Sequence, residues 1–445
     1  MGTSSGEPGS GRPDDRPAAR PELPEVPAAG TDRVGPTPVA IERMFAGILG
    51  VTHLSTPDMV ADALAEHAAG AGLRHLGVYL CDLEQEHLVP LSAPRTGAWD
   101  DGVLRIEGTV AGRCFATARI IELDAEDVGR RQLWVPLMDG TERIGVMVLN
   151  VPAADGRVDT RLVEICERYA HLAAQLVLSK GAYGDLFERA RRRQPMSVAA
   201  ELQRHMLPPM TVATQGLVIA GVMEPCYRAG GDSFDYAVNG TLAHLAIFDA
   251  MGHGLAAAAT AAIAVAAYRN ARRRGLDLVG AYTEIDETLQ AQFDDERFAT
   301  AVLARLDLTT GSLRWVNAGH PPPLLIRDGR LVKVLSTPAS TPLGVPLGTP
   351  PLEAAREGLQ PGDRLLLYTD GITEARTADG KQFSAQRLVE FLERQSDPAT
   401  AAPETLRRLR HAIMAYQHGT LQDDATVLLC EWRGGGEREV VPQTV

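Results

Sequence analysis

The sequence has few cysteines, few lysines and no long hydrophobic run. Its five cysteines are far apart, odd in number and form no CxxC pair, which argues against a disulfide framework or a zinc site. The N-terminus lacks the apolar core of a signal peptide, and the most apolar stretch, residues 256–267, is too short to cross a bilayer. We therefore expect a cytoplasmic protein without a membrane span.

Positive charge and aromatic residues are scarce as well. The chain of 445 residues has 44 basic and 57 acidic side chains, a net charge of −13, and only 5% aromatic residues. An acidic chain is not expected to bind nucleic acid or an anionic membrane, because attraction to phosphates needs a basic surface. A phosphorylated substrate is still compatible with this charge, since bound cations can invert the local field.

Composition changes along the chain and predicts five segments. Residues 1–38 are rich in Gly, Pro, Ser and Asp, so we expect a disordered tail. Residues 39–180 alternate helix and strand patterns and predict a smaller α/β domain. Residues 181–210 predict a helical linker, whose arginine cluster is either a solvated helix face or part of a signalling linker. Residues 211–434 form the C-terminal domain, and 435–445 a flexible tail.

The first domain resembles the GAF sensory family. Residues 108–112 (GTVAG), through Ile120 and Ile121, are similar to the central helix and following strand of that family. A late strand pair, predicted at 133–137 and 144–151, fits the same order of elements. The resemblance implies that the domain binds a small ligand or dimerises. No set of Cys or His side chains points to haem, and no residue identifies a ligand.

The C-terminal domain combines many short strands with segregated helices, which predicts an α+β fold. Strand patterns cover residues 217–223, 242–248, 300–308, 313–317, 324–327, 331–335, 364–368 and 425–431. Helical patterns cover residues 255–273, 278–293 and 385–416.

Acidic residues recur at the ends of these strands, next to glycine. They are Asp232, Asp235, Asp249, Asp370, Asp423 and Asp424. Any one of them is typical of a turn or a cap, but several converging carboxylates would be unfavourable unless cations neutralised them. Mg²⁺ and Mn²⁺ prefer oxygen ligands, and pairs of such ions activate water for displacement at phosphorus.

The ordered set of motifs resembles the metal-dependent type-2C (PPM) protein phosphatases, in particular the bacterial branch typified by the stage II sporulation phosphatase E. Residues 317–323 (NAGHPPP), 362–371 (GDRLLLYTDG) and an entry helix at 201–208 (ELQRHMLP) carry the resemblance together with the acidic motifs. It implies a four-layer αββα sandwich with a site for two Mn²⁺ or Mg²⁺ ions at one edge of the sheets.

The resemblance assigns site residues position by position. Asp249 falls where the family has a carboxylate that bridges both ions, and the backbone carbonyl of Ala250 completes the shell of one ion. Asp370 and Asp423 fall at the ligands of the second ion. Asp232 falls in the first acidic motif, which in relatives orders metal-bound water. No residue is assigned to an organic cofactor.

Two positions depart from the eukaryotic pattern, and two histidines nearby are expected to be structural. Met251 stands where those relatives have a candidate general acid, a histidine, and His253 is expected to be a structural turn residue. His320, in its proline-rich turn, is also expected to be structural. Arg228 is near the place of a phosphate-holding arginine but is offset by one residue, so the alternative of a solvated arginine stays open.

The resemblance implies a serine/threonine protein phosphatase that uses metal-activated water and is regulated by the N-terminal sensor, in a homodimer. Its expected substrate is a phosphorylated anti-sigma-factor antagonist on a separate chain. One alternative is a catalytically inactive phosphatase-fold binding module in a partner-switching pathway. The other is a small-molecule sensor whose phosphatase fold only dimerises.

Overall fold

The computed structural model of the protein describes most of the chain between the two predicted tails. The described residues are 35–91, 102–214, 216–228, 230–293, 297–338, 340–346, 352–377, 380–394, 402–417 and 423–434. The predicted tail 435–445 and residues 1–34 of the predicted tail 1–38 lie outside them. The first helix already begins at Pro38, where the Thr37 side chain accepts a hydrogen bond from the Ala40 amide.

One six-stranded sheet organises the N-terminal half. Its strand order is β3-β2-β1-β6-β5-β4, and every pairing is antiparallel. The strands are β1 (Arg74–Cys81), β2 (His87–Leu91), β3 (Leu104–Arg105), β4 (Ile121–Asp124), β5 (Arg130–Asp139) and β6 (Glu142–Pro152). The predicted mixture of helices and strands is present, but antiparallel pairing makes this region α+β rather than an alternating parallel α/β unit.

Helices cover both faces of this N-terminal sheet. The larger core lies beneath α1 (Pro38–Thr52), α2 (Val60–Gly70) and α4 (Thr160–Gly181), and a smaller core lies beneath α3 (Val110–Thr117). A short 3₁₀ turn precedes α2. The GAF-like identity of this region stays a prediction.

Two helices connect the halves, α5 (Leu186–Arg191) and α6 (Val198–Met206). Ser197 caps α6 as the sequence predicts, because its hydroxyl accepts a hydrogen bond from the Ala200 amide at 3.1 Å. The neighbouring arginines are not a purely solvated face. Arg192 binds Glu201 at 2.5 Å and lies 3.5 Å from Glu188, so it ties α5 to α6.

Two antiparallel sheets build the C-terminal half. Sheet I has the order β15-β12-β11-β10-β9, and sheet II has the order β14-β13-β16-β17-β8-β7. The strands are β7 (Thr211–Thr214), β8 (Leu217–Glu224), β9 (Gly230–Asn239), β10 (Leu242–His253), β11 (Ala299–Asp307), β12 (Ser312–Ala318), β13 (Leu324–Arg327), β14 (Arg330–Val334), β15 (Ala355–Gly358), β16 (Arg364–Tyr368) and β17 (Ala425–Trp432).

Three hydrophobic cores define four layers. The core between the two sheets includes Leu245 and Ile247 from sheet I, and Leu365 and Leu428 from sheet II. A second core lies between sheet I and the helices α7 (Gly254–Arg273) and α8 (Leu278–Gln292). A third lies between sheet II and the helices α9 (Asp370–Glu374), α10 (Ser384–Arg394) and α11 (Ala402–Tyr416). The predicted four-layer αββα sandwich is confirmed.

The structure differs from the strand and helix predictions in a few places. The first acidic motif is not a loop after a strand, because Asp232 lies within β9, an edge strand that the pattern did not reveal. The third helical region, predicted over 385–416, contains two helices, α10 and α11. Among the described residues, no helix has the length and apolar character needed to cross a bilayer.

Buried ion pairs join the N-terminal sheet to α11. Glu404 binds Arg143 at 2.8 Å and Arg407 at 2.9 Å, and Arg407 also binds Glu107 at 2.7 Å. Burial opposes ionisation of Glu404, but the hydrogen bond from Arg407 and the charges of both arginines outweigh it and hold the pKa of this carboxyl at about 2. Apart from the exposed Glu107, the charges that hold the two halves together have little access to water.

The substitution Glu404→Gln tests this junction. Removing the carboxylate leaves buried guanidinium groups without a counter-charge, so we expect the free energy of unfolding to fall by about 3 kcal/mol. Glu164→Gln is the matched control, because Glu164 forms an exposed pair with Arg168 on one helix and should change stability by less than about 0.5 kcal/mol. Urea unfolding of both variants measures the difference, and equal effects would contradict the assignment.

Candidate active site

Strand register brings two of the predicted site residues side by side. Asp249 of β10 lies directly opposite Asp232 of β9 and, on its other side, opposite Thr300 of β11. Directly paired residues of antiparallel strands point to the same face. Asp232, Asp249 and Thr300 therefore form one row across sheet I.

Alternation along β10 decides which face carries this row. Ala243, Leu245 and Ile247 point into the core between the sheets, whereas Ala246 and Phe248 point toward the helices. Asp249 continues the first set. The carboxylates therefore stand where the inter-sheet hydrophobic core ends and the cleft between the two sheets opens.

Sheet II supplies the other acidic residues. Asp370 is the first residue of α9, directly after β16, and Asp423 and Asp424 directly precede β17. The Oδ2 atom of Asp424 accepts a hydrogen bond of 3.4 Å from the Asp232 amide, which joins the two sheets at this point. Asp232 is only 2% exposed, Asp249 and Asp424 are half-buried, and Asp370 and Asp423 are exposed at the rim.

Glycines beside the carboxylates permit this close approach, as the sequence predicts. A Cβ atom on Gly230 would lie 1.9 Å from the Oδ2 atom of Asp424, and one on Gly371 would lie 1.8 Å from the Asp424 carbonyl oxygen. Real Cβ atoms do not come this near to another atom. Only glycine therefore lets the start of β17 sit between β9 and α9.

A threonine that the sequence did not single out fixes the buried carboxylate. The hydroxyl of Thr369 accepts a hydrogen bond of 2.9 Å from the Thr426 amide, so its own proton is free to point at Asp232. It donates to the Oδ2 atom of Asp232 at 2.7 Å. Thr369 thus connects the ends of β16 and β17 to β9.

His320 forms a second connection between the sheets, in agreement with its predicted structural role. Its Nε2 atom donates to the Tyr368 carbonyl at 3.1 Å, so Nδ1 accepts from the Thr300 hydroxyl at 2.7 Å. Burial lowers the pKa of His320 to about 3, which keeps the ring neutral. The ring therefore ties the neighbour of Asp249 to the strand that carries Asp370.

Burial and, after it, like charge determine the electrostatics of the cleft. Burial, with the charges of Asp370, Asp423 and Asp424, raises the pKa of Asp249 to about 7. Burial raises the pKa of Asp424 to about 6, and burial with the charges of Asp249 and Asp424 raises that of Asp232 well above its usual range. No arginine or lysine of the described chain is among the main influences on these three carboxyls.

The donor set suits hard divalent cations. All of the donors are carboxylate oxygens, with the Ala250 carbonyl beside them, and such ligands favour Mg²⁺ or Mn²⁺ over softer metals. Among the described residues, no three acidic, His or Cys side chains already close on one point as a formed metal cage. The carboxylates instead face one cleft at distances over which their charges repel, and bound cations would remove that repulsion.

Several neighbouring residues lie outside the acidic cleft. Asp235 is bound by Arg269 at 2.8 Å and Arg272 at 2.7 Å, so it anchors α7 on sheet I. His253 is not in a turn, because it is the last residue of β10, where it pairs with Gly230, and its side chain does not cap α7. Met251 and Arg228 are exposed.

A four-layer αββα sandwich with acidic residues at the edge between its sheets is the arrangement that the resemblance of the motifs implied. The family model for stage II sporulation protein E (SpoIIE) matches residues 239–433. The resemblance drawn from the motifs is therefore confirmed as a match of these residues to the SpoIIE family model, which covers less than half of the chain. The family match begins after the N-terminal half.

Curated relatives share part of the chain. The phosphoserine phosphatases RsbU and RsbP of Bacillus subtilis are 21% identical over 241 residues and 25% identical over 190 residues. These matches cover 53% and 41% of this chain, and 70% and 46% of the relatives. Protein IcfG of Synechocystis is 26% identical over 140 residues, 32% of this chain and 21% of IcfG. The matches therefore span from 21% to 70% of the length of these three relatives.

Two solved structures match about half of this chain. A crystal structure of the RsbU and RsbW domains of a Mycobacterium tuberculosis protein is 29% identical, with a TM-score of 0.43. The match covers 51% of this chain and 63% of that one. The SiaA PP2C domain of Pseudomonas aeruginosa is 23% identical, with a TM-score of 0.45, and the match covers 53% and 94%.

The raised pKa values predict how pH affects the metal-free protein. Because the folded protein binds a proton at Asp249 more tightly than the unfolded chain does, stability falls as pH rises from about 4 to 7. The substitution Asp249→Asn removes this loss of stability, because an amide does not ionise as pH rises. In the presence of chelator we expect its Tm to exceed that of the parent by about 2–4 °C at pH 8, and by less at pH 5.

Thermal melts at the two pH values test this expectation, with Asp58→Asn as a control at an exposed carboxylate of the N-terminal half. Excess Mn²⁺ should stabilise the parent more than Asp249→Asn. The expectation is wrong if the difference in Tm between Asp249→Asn and the parent is the same at pH 5 and at pH 8.

Proposed function

We propose that the C-terminal domain hydrolyses phosphoserine or phosphothreonine in a protein, with two bound Mn²⁺ or Mg²⁺ ions. The observation that carries the proposal is the set of carboxylates at the open edge between the sheets, which repel one another and for which no arginine or lysine of the described residues is among the main influences on the pKa. A phosphate group brings further negative charge, so a site that binds it needs the compensating charge of metal ions.

Each residue has a distinct part in the proposal. Asp249 is central to the cleft and would bridge both ions, with the Ala250 carbonyl as a further ligand. Asp370 and Asp423, exposed at the rim, would hold the second ion. Bound ions would supply positive charge to the phosphoryl oxygens and lower the pKa of water. Asp232, buried and held by Thr369, would orient water from within the cleft.

We further propose that the substrate is a regulatory phosphoprotein on a separate chain, most simply a phosphorylated anti-sigma-factor antagonist. Two of the relatives are named phosphoserine phosphatases. The rim carboxylates are exposed, so a phosphorylated side chain on a protein surface can reach them without opening the fold. The rival, an inactive binding module, is less well supported because Asp249, Asp370 and Asp423 are all present.

Hydrolysis of a phosphoserine peptide with excess Mn²⁺, with and without chelator, tests the activity. We expect turnover that the chelator abolishes and that Asp249→Ala lowers by at least about 100-fold, because the metal supplies several kcal/mol of transition-state stabilisation. Asp58→Ala, far from the cleft, should keep the parent rate. Absence of turnover in the parent, with metal in excess, would favour the binding module instead.

We propose that the N-terminal half is a GAF-like sensor that controls the phosphatase domain and forms a homodimer. Large apolar side chains are exposed on α1, in the turn after it and on α4. They are Val39, Leu49, Val51, Leu54 and Leu178. An interface with another protein chain would cover such side chains, so we place the interface on these helices. The buried ion pairs at Glu404 would carry a change in the sensor to α11.

Leu49→Glu tests the dimer, because a charge within an apolar interface opposes association. We expect light scattering after size-exclusion chromatography to give a dimer for the parent and a monomer for this variant. Val332→Glu is the control, since Val332 is equally exposed but lies on β14. A monomeric parent at all concentrations would contradict the proposal.

A further inference from the structure

A cavity of about 480 Å³ lies where the N-terminal sheet, the linker helices and sheet II meet. Its walls come from the end of β1, from α5 and α6, from β8 and from α11. This volume is within the usual range for small-molecule sites. None of the acidic residues of the cleft lines it, so the cavity is separate from the proposed phosphatase site.

The wall of the cavity is cationic, although the chain as a whole is strongly acidic. Five of its lining residues are arginines and three are glutamates, while Glu404 and Glu107, which pair with Arg143 and Arg407, are not among the lining residues. The arginines are Arg143, Arg191, Arg204, Arg407 and Arg410, and the glutamates are Glu142, Glu188 and Glu224. A cavity with this balance favours an anion.

Two of the arginines retain donors for a ligand. Arg407 is only 4% exposed, yet its Nη1 atom has no hydrogen-bond partner among the described residues. Arg191 donates from Nε to the Cys81 carbonyl at 3.0 Å. Burial and Asp82 raise the pKa of the Cys81 thiol to about 12, while the charges of Arg191, Arg143 and Arg407 oppose the shift. Three guanidinium groups therefore surround the same part of the wall.

Apolar side chains complete the cavity. Leu207, Met210, Met223 and Leu406 line it, and none of its described lining residues is Phe, Tyr or Trp. Without an aromatic side chain for stacking, this wall suits an aliphatic group rather than a flat ring. The ligand that fits both parts of the wall is a small aliphatic molecule with a carboxylate or phosphate group.

One side chain connects the cavity to the acidic cleft. Gln203 of α6 lines the cavity and is 3% exposed, and its amide donates a hydrogen bond to the backbone carbonyl of Asp232. Asp232 is the buried carboxylate of the cleft. A ligand that shifts α6 would therefore move a group that holds the backbone of a site residue.

We propose that this cavity binds a small aliphatic carboxylate or phosphate, and that binding changes turnover at the acidic cleft through Gln203. The part of this proposal that concerns regulation rests on the proposed phosphatase function, whereas the part that concerns ligand binding does not. The anionic group is held by Arg191 and Arg407, and the aliphatic group packs against the four lining leucines and methionines, which are Leu207 and Met210 after α6, Met223 of β8 and Leu406 of α11.

Calorimetric titration of the full chain tests binding, with chelator present so that no metal can recruit the probes to the cleft. We expect hexyl phosphate and hexanoate to bind saturably, and hexanol and inorganic phosphate at least about tenfold more weakly. Arg191→Gln should weaken hexyl phosphate about tenfold, the effect of losing a hydrogen bond to a charged group. Arg273→Gln, at an exposed arginine of α7, should leave the affinity unchanged.

Hydrogen exchange of the parent gives a second measure that does not depend on the fold of a variant. Saturating hexyl phosphate should slow exchange in α6. Absence of saturable binding of hexyl phosphate and hexanoate, or parent affinity in Arg191→Gln, would overturn the proposal. Binding without any turnover of the phosphoserine peptide would refute the phosphatase function and leave the cavity site supported.

The coupling has its own measurement. With Mn²⁺ and the phosphoserine peptide, saturating hexanoate should change kcat of the parent by at least about threefold, and that of Gln203→Met by less. An effect of equal size in both proteins would remove Gln203 from the proposal. If hexanoate binds without any effect on the rate of the parent, the proposed regulation of turnover is wrong.

Discussion

Repulsion among carboxylates that rigid strands hold close together is the constraint on which the C-terminal half depends. Asp232 and Asp249 are neighbours by strand register, and Asp424 is brought to them by the start of β17. Side chains with ordinary freedom would separate. The hydrophobic core between the sheets opposes that separation, because its rows of aliphatic residues end at the carboxylates and fix the strands that carry them.

Polar bridges keep the two sheets in register at the open edge, where the core no longer does so. Thr369 spans from β16 to Asp232, and His320 spans from Thr300 to Tyr368. Both are buried, and each has a donor and an acceptor satisfied. A buried polar group that lacks its partner is unfavourable, so each bridge allows one relative placement of the sheets far better than others. The bridges therefore define the shape of the cleft.

Strand and helix patterns are local signals and predicted an α+β fold, while the resemblance of the ordered motifs to a known family implied the αββα class and the candidate cleft residues. The patterns missed β9, since glycine and aspartate disfavour strands and are needed here for close approach rather than for pairing. The bridging roles of Thr369 and Gln203 depend on residues distant in the chain, which no local pattern shows. Likewise, the arginines of α11 resemble a solvated face, but Arg407 and Arg410 are buried against the N-terminal half.

Asp232 is held by hydrogen bonds from two different parts of the molecule. Its side chain is held by Thr369 from sheet II, and its backbone carbonyl is held by Gln203 from the linker helix α6. A shift of α6 therefore acts on the backbone of a buried carboxylate whose side chain is fixed from the opposite side. Because the residue has almost no free space, a small displacement must alter either the hydrogen bond to Thr369 or the strand pairing with Asp249. Either change alters the position of a charge in the cleft. A movement of the linker helix would therefore be transmitted directly to the site.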